Sequence, residues 1–301
     1  MSITLVYTIA LISIIGIVAA IILYYASQKF MVHEDPRIDL VDEALPGANC
    51  GGCGFAGCRA FAEACVTENN LADLFCPVGG NDCMTDVAKI LGLEAIQKAP
   101  RIAVLRCNGT YENRTRTNNF DGAGTCSIVS SLYGGETNCS YGCHSFGDCV
   151  KSCDFDALFM DEKTGLPVVV DENCVACGAC VEACPTNLFE LRKKMPKFRR
   201  VYVSCQNCDK GAPAKKSCSV ACIGCGKCVK VCPFDAITLD NNLAFIDSDK
   251  CKLCRKCAPV CPTNAIIEEN FPPKKVVKPE LEKPEVEVAK GQRDREAKGK
   301  E

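Results

Sequence analysis

The chemistry of this chain lies in its thiols. Cysteine fills 27 of the 301 positions, a density found in disulfide scaffolds and in metal proteins. The count is odd, so a fully paired disulfide set is excluded. Many cysteines stand two residues apart, and Cys76, Cys184, Cys232 and Cys261 each precede a proline. Such spacing folds several sulfurs onto one loop, where they converge on a metal rather than on one another. Thiolate ligands require a reducing compartment. The glycosylation sequons at Asn108, Asn113 and Asn138 are then chance matches, because that modification belongs to secreted chains.

Five ligand sets follow from the spacing. The first is Cys50-x2-Cys53-x4-Cys58-x17-Cys76, with glycines that let the backbone wrap a bulky group. Four thiolates suit zinc or a [4Fe–4S] cluster. Two long blocks then repeat one another, from Cys149 and from Cys228. Both read CVKxC-x-FDA and then Cys-x2-Cys-x2-Cys-x3-Cys-Pro-Thr-Asn, which marks the duplication of a whole module. The runs Cys222-Cys225-Cys228-Cys232 and Cys251-Cys254-Cys257-Cys261 match the bacterial two-cluster ferredoxin pattern. In that pattern three cysteines cap one cubane and the fourth reaches the neighbouring one. This predicts one cluster on Cys222, Cys225, Cys228 and Cys261, and another on Cys251, Cys254, Cys257 and Cys232. Repeated CxxCxxCxxxCP is not a zinc-finger spacing.

The earlier block is looser. Cys174, Cys177, Cys180 and Cys184-Pro185 are regular, but Cys139-x3-Cys143-x5-Cys149-x3-Cys153 ends on Asp154 instead of proline. By the same crossing, Cys139, Cys143, Cys149 and Cys184 hold one cluster, and Cys174, Cys177, Cys180 and Cys153 the other. Five sets predict about 20 iron per chain. Cys65, Cys83, Cys107, Cys126, Cys205, Cys208 and Cys218 remain. They read as small buried residues, or, around Cys205, Cys208 and Cys218, as an extra metal site that would bring a sixth cluster. The duplication reaches some of them: RIAVLRCNG at Cys107 parallels RRVYVSCQN at Cys205, and Cys126-Ser-Ile-Val parallels Cys218-Ser-Val.

Other chemistry is thinly represented. His33 and His144 are the only histidines, too few beside paired cysteines for a Rieske centre. The DGAGT stretch at 121–125 departs from a covalent-flavin attachment sequence by an inserted glycine and reads as a turn. No strand–GxGxxG–helix fingerprint or P-loop is present, so no nicotinamide site is expected here. A net charge of −2 does not indicate nucleic-acid binding.

The elements that must carry these loops are an α+β assembly. Residues 3–26 hold no charge or histidine. As a helix they span roughly 36 Å, enough for a bilayer core of about 30 Å. Length and flanks favour a membrane anchor (1–26) over a cleaved signal, and the absence of ionisable groups favours a tether over an ion path. The thiols place the body on the cytoplasmic side of the cell membrane. A juxtamembrane linker (27–49), a small four-cysteine [4Fe–4S] domain (50–92), two ferredoxin-like modules (93–200 and 201–269) and a disordered charged tail (270–301) complete the expected order.

The order of an apolar span, CGGCGFAGC…CPVGG and paired ferredoxin modules resembles the B subunits of the Rnf family, ion-translocating ferredoxin:NAD oxidoreductase complexes. The resemblance implies a subunit that relays electrons from reduced ferredoxin towards membrane subunits. It also implies that a separate subunit carries flavin and the NAD site, and that Na⁺ or H⁺ is moved. With five oxidised clusters the chain would carry roughly −12, and ferredoxin donors are acidic, so docking calls for a local basic patch. Two are candidates: Arg192, Lys193, Lys194, Lys197, Arg199 and Arg200, and Lys250, Lys252, Arg255 and Lys256.

Overall fold

The structure, a computed structural model, describes residues 3–29, 35–68, 70–95, 97–132 and 135–272. Most of the expected tail, from 273 onward, lies outside the described residues, as does His33. The apolar N-terminal run forms α1 (Ile3–Lys29). Its Val6–Lys29 stretch has a mean hydropathy of 2.8 and is long and apolar enough to cross a membrane.

The stretch expected to be a linker contributes a second helix, α2 (Pro36–Ala44), started by Pro36 and by Asp35, whose side chain accepts from the Arg37 backbone N–H. A proline at the first helical position and an Asp cap are a strong start signal. Ile38 and Val41 of α2 are buried with Phe61 and Cys65 of α3 (Cys58–Glu68) and Met84 and Val87 of α4 (Gly80–Leu91). The four-cysteine loop therefore sits on its own three-helix core. Cys65, one of the unassigned thiols, is a fully buried member of that core, in line with the packing reading.

The duplication is visible in the strands. In the first half β1 (Arg101–Leu105) pairs antiparallel with β4 (Phe189–Lys193), enclosing the hairpin of β2 (Leu158–Asp161) and β3 (Leu166–Val169). In the second half β5 (Arg200–Val203) pairs with β8 (Ile266–Glu269), enclosing the hairpin of β6 (Ile237–Asp240) and β7 (Leu243–Ile246). Matching residues carry matching backbone demands. Asp156 and Asp235 of the shared FDA, and Asn187 and Asn264 of the shared PTN, all have φ between 47° and 55°. Asp and Asn tolerate that left-handed region better than most residues, which explains why the repeat keeps them. Single helical turns follow the cluster loops: α6 (Asp148–Lys151), α7 (Ala179–Glu182) and α9 (Lys227–Lys230). Each starts after a glycine with positive φ and each buries a cysteine, Cys149, Cys180 and Cys228 respectively. The other two helices, α5 (Cys126–Leu132) and α8 (Gly211–Ser217), each open one of the paired CxxV/CSV regions or lead into it.

Two members of the first basic run, Arg192 and Arg200, are taken up inside the fold. Arg192 is 2% exposed; its Nη1 meets Glu190 at 2.7 Å and its Nη2 donates to the Ile246 carbonyl. Arg200 is held between Asp171, at 2.7 Å, and Glu269, which also accepts from the Tyr202 hydroxyl. Removing one partner of a buried ion pair leaves the others uncompensated. Arg200→Ala should therefore destabilise the second half by about 3 kcal/mol, seen as a lower midpoint for loss of visible cluster absorbance on anaerobic heating. An unchanged midpoint would place Arg200 among ordinary surface charges.

Candidate metal centres

Four recesses each gather one expected set of four cysteines. Cys50, Cys53, Cys58 and Cys76 line one. Cys153 joins Cys174, Cys177 and Cys180 in a second. Cys261 joins Cys222, Cys225 and Cys228 in a third, and Cys232 joins Cys251, Cys254 and Cys257 in a fourth. Their volumes run from about 320 to 350 Å³. None of the cysteines is paired in a disulfide. Among the described residues no three Cys, His, Asp or Glu groups are drawn together closely enough for a single metal ion. Four sulfurs around an open recess suit a cubane, whose ligands stand farther apart than those of tetrahedral zinc.

The recesses are apolar and supply N–H donors to sulfur. Leu188 N–H points at Cys184 Sγ at 3.4 Å, and Ala265 N–H at the equivalent Cys261 Sγ at 3.3 Å. Ala103 N–H of β1 reaches Cys174 Sγ at 3.5 Å and Gly79 N–H reaches Cys76 Sγ at 3.4 Å. Burial pushes the thiols of Cys149, Cys180 and Cys257 up to about 12 and that of Cys228 up to about 11. Without a cation these groups stay protonated, whereas a ferric–ferrous core would draw off the protons. Cys76 is the exception: the neighbouring Cys83 thiol lowers its pKa. Cys83, unassigned in the sequence, thus neighbours the first set. A lone thiol on the helix that follows the loop has no spacing signature that would have shown this.

The fifth expected set does not share one of these four recesses. Cys149 and Cys184 pack in one apolar cluster, and Cys139 lines a recess of about 380 Å³ with Cys107, Cys205 and Cys218. Cys225 and Cys254 are the exposed cysteines. The loops of the first two recesses meet: a Cβ on Gly52 would stand 2.8 Å from the Cys177 carbonyl oxygen and 3.1 Å from its Cα. His144 is half-buried by its surroundings, which push its pKa down, and its Nε2 has no hydrogen-bond partner.

Family models agree with this layout. A 4Fe-4S dicluster domain matches residues 137–188 and 221–265, and a 4Fe-4S double cluster binding domain matches 173–235. A model for an Fe-S cluster segment matches 45–74. The chain is 46% identical over 244 residues to the B subunit of the Na⁺-translocating ferredoxin:NAD⁺ oxidoreductase complex of Acetobacterium woodii, covering 81% of this chain and 72% of that one. The chain belongs to this B-subunit family. The B subunit of the proton-translocating ferredoxin:NAD⁺ oxidoreductase complex of Clostridium ljungdahlii is 40% identical, over 82% of this chain and 86% of its own. The B subunit of the ion-translocating oxidoreductase complex of Methanosarcina acetivorans is also 40% identical, over 83% and 93%. As a member of this family the chain has iron–sulfur modules of the [4Fe–4S] type on an α+β frame. The matched family segments leave Cys76, Cys83, Cys107 and Cys126 outside.

Proposed function

We propose that this chain is a membrane-tethered iron–sulfur conduit of an ion-translocating ferredoxin:NAD oxidoreductase complex, relaying electrons from reduced ferredoxin to the other subunits. One observation carries the reading: four recesses are each lined by the four cysteines of one ligand set, and the loops of two of them meet at the Gly52–Cys177 contact. Each bound [4Fe–4S] cluster would accept and release one electron. The ligands are Cys50, Cys53, Cys58 and Cys76; Cys153, Cys174, Cys177 and Cys180; Cys222, Cys225, Cys228 and Cys261; Cys232, Cys251, Cys254 and Cys257. Cys143, Cys149 and Cys184 contribute to a fifth. The domains are those read from the sequence, 50–92, 93–200 and 201–269, with α2 added to the first.

The protein's own groups shape the conduit. Backbone N–H donors and apolar walls set the stability of the reduced state at each recess. The helix α1 anchors the chain by a single pass, with the thiol-rich body on the cytoplasmic side, and it offers no ionisable group to a moving ion between residues 3 and 26. Flavin-bearing and membrane subunits receive the electrons.

The input point is the last cluster loop. Exposed Cys254 stands among Lys250, Lys252 and Lys256, all exposed, whereas Arg255 is tied to Glu268. An acidic ferredoxin would be steered to those three lysines. Reversing all three to Glu should raise the KM for ferredoxin roughly tenfold at low ionic strength, with the difference fading as salt screens it. Ferredoxin oxidation kinetics that ignore both the reversal and the salt would move the input point to the Cys225 loop.

A further inference from the structure

The duplicated modules differ in charge at an equivalent pair of positions. Arg192 stands eight residues after Cys184, and Glu269 eight residues after the matching Cys261. Their cross-strand partners also correspond. Ile102, five residues before Cys107, faces Arg192, and Arg200, five residues before Cys205, faces Glu269. Each pair reaches into the opposite module. Arg192 of the first module donates through Nη2 to the Ile246 carbonyl of the second. Arg200 of the second module meets Asp171 of the first at 2.7 Å.

Around Arg192 two cations share one carboxylate. Its Nη1 meets Glu190 at 2.7 Å, and the Arg106 Nη1 meets the same side chain at 3.3 Å. Both arginines are buried, and both stand over the Phe245 ring, 5.8 and 5.1 Å from its centre. Ile246, which accepts from Arg192, is a wall residue of the recess of Cys232, Cys251, Cys254 and Cys257. Burial, the largest influence, pushes the Cys251 thiol up, while the Leu253 N–H and the Arg192 charge pull it back, so the cation is felt at that sulfur. Arg255 lines the same recess but is paired with Glu268, and the lysines of that loop are exposed to screening solvent. Around Arg200 the balance is reversed: one cation lies between the carboxylates of Asp171 and Glu269. Asp171 precedes Cys174 by three residues, and Glu269 accepts from the Tyr202 hydroxyl at 2.7 Å. Cys174 packs on the buried group of Ile102, Val104 and Tyr202.

We propose that this inverted charge pulls the potentials of two equivalent centres in opposite directions. Arg192 raises that of the [4Fe–4S] centre on Cys232, Cys251, Cys254 and Cys257. The carboxylate excess of Asp171 and Glu269 lowers that of the centre on Cys153, Cys174, Cys177 and Cys180. Reduction adds one negative charge to a cluster, so a fixed cation nearby favours the reduced form and a fixed anion the oxidised form. Buried charges keep most of that influence, because little solvent stands between them and the recess. Neither Arg192 nor Asp171 is a ligand; each acts through its field. This rests on the ligand sets given above. It gathers electrons on the second-module centre, on the input side, and leaves the first-module centre the stronger reductant of the two for passing them on.

The test is an EPR-monitored redox titration of the full chain, purified anaerobically with its iron counted. Cys232→Ala and Cys153→Ala identify the two signals by removing them. Arg192→Gln should lower the midpoint of the Cys251 centre by about 59 mV, an approximately tenfold fall in its reduced-to-oxidised ratio. Arg192→Lys, which keeps the charge, should keep the parent midpoint. Glu190→Gln removes the shared carboxylate and should raise the same midpoint by a similar step. Asp171→Asn should raise the midpoint of the Cys174 centre and leave that of the Cys251 centre in place. A merely structural role would change iron content or melting without these opposite signs. Midpoints that stay put in variants with full iron, or that move the same way in Arg192→Gln and Glu190→Gln, overturn the proposal. If Arg192→Gln loses its iron, Glu190→Gln and Asp171→Asn decide, since a rise in each supports the proposal and unmoved midpoints overturn it. A parent protein without iron or reduced-state signals would end the iron–sulfur reading itself, and this proposal with it.

Discussion

Replacing Cys232 by Ala should strip the cluster held by Cys251, Cys254 and Cys257 and spare the one held by Cys222, Cys225 and Cys228, although Cys232 follows the latter in sequence. The recess lined by Cys232 contains Cys251, Cys254 and Cys257, and Cys261 lines the recess of the other three. The crossing has a local cause. α9 ends at Lys230, two residues before Cys232, and a turn follows in which Cys232 N–H donates to the Val229 carbonyl at 3.2 Å, carrying Cys232 to the other recess. With three thiolates one iron of the cubane loses its protein ligand and the cluster becomes labile, so the variant should lose up to about four iron and one of the reduced-state EPR signals. Electron transfer from ferredoxin should fall to a small residue, because input at Cys254 would meet a missing step. Cys228→Ala should produce the complementary loss. If Cys232→Ala instead empties the site of Cys222, Cys225 and Cys228, the ligand crossing is wrong for this chain.

Gly52→Val should uncouple the four-cysteine domain from the first module without removing iron from either. The Cβ would meet the Cys177 backbone at 2.8 Å, and a backbone atom cannot rotate away as a side-chain tip can. Valine adds two methyl groups to that collision, so the two cluster loops must part, at a cost of about 1–3 kcal/mol. All eight thiolates keep their places within their own recesses, and the iron count should stay that of the parent. What changes is the gap across which the electron passes. Magnetic interaction between the two reduced centres should weaken in EPR, and reduction of the four-cysteine centre by ferredoxin should slow while the second module is reduced at its normal rate. Unaltered spin coupling and unaltered reduction in a Gly52→Val protein with full iron would show that electrons leave the first module elsewhere.

The sequence by itself determined the parts built on one loop. Three sulfurs spaced by two residues converge because the chain between them is too short to do otherwise, and four of the five expected sets line common recesses in the structure. The duplicated motifs reappear as two matching nested strand arrangements, with their shared Asp and Asn residues at positive φ in both. The apolar run of 3–26 is a helix because nothing in it interrupts one.

The tertiary structure alone decided what depends on distant partners. Arg192 and Arg200 look like a solvated basic run in one dimension, but strand pairing turns them inward onto Glu190, Asp171 and Glu269. The stretch before Cys50 reads as mixed and unremarkable until Ile38 and Val41 find Phe61 and Val87. Cys139 lies four residues from Cys143, yet it faces Cys107, Cys205 and Cys218. Local spacing limits which sulfurs can meet on one loop and leaves open those carried by separate segments. Their meeting depends on how β1 and β5 are brought side by side, a long-range contact whose register is set by packing and backbone hydrogen bonds and leaves no periodic trace in the chain.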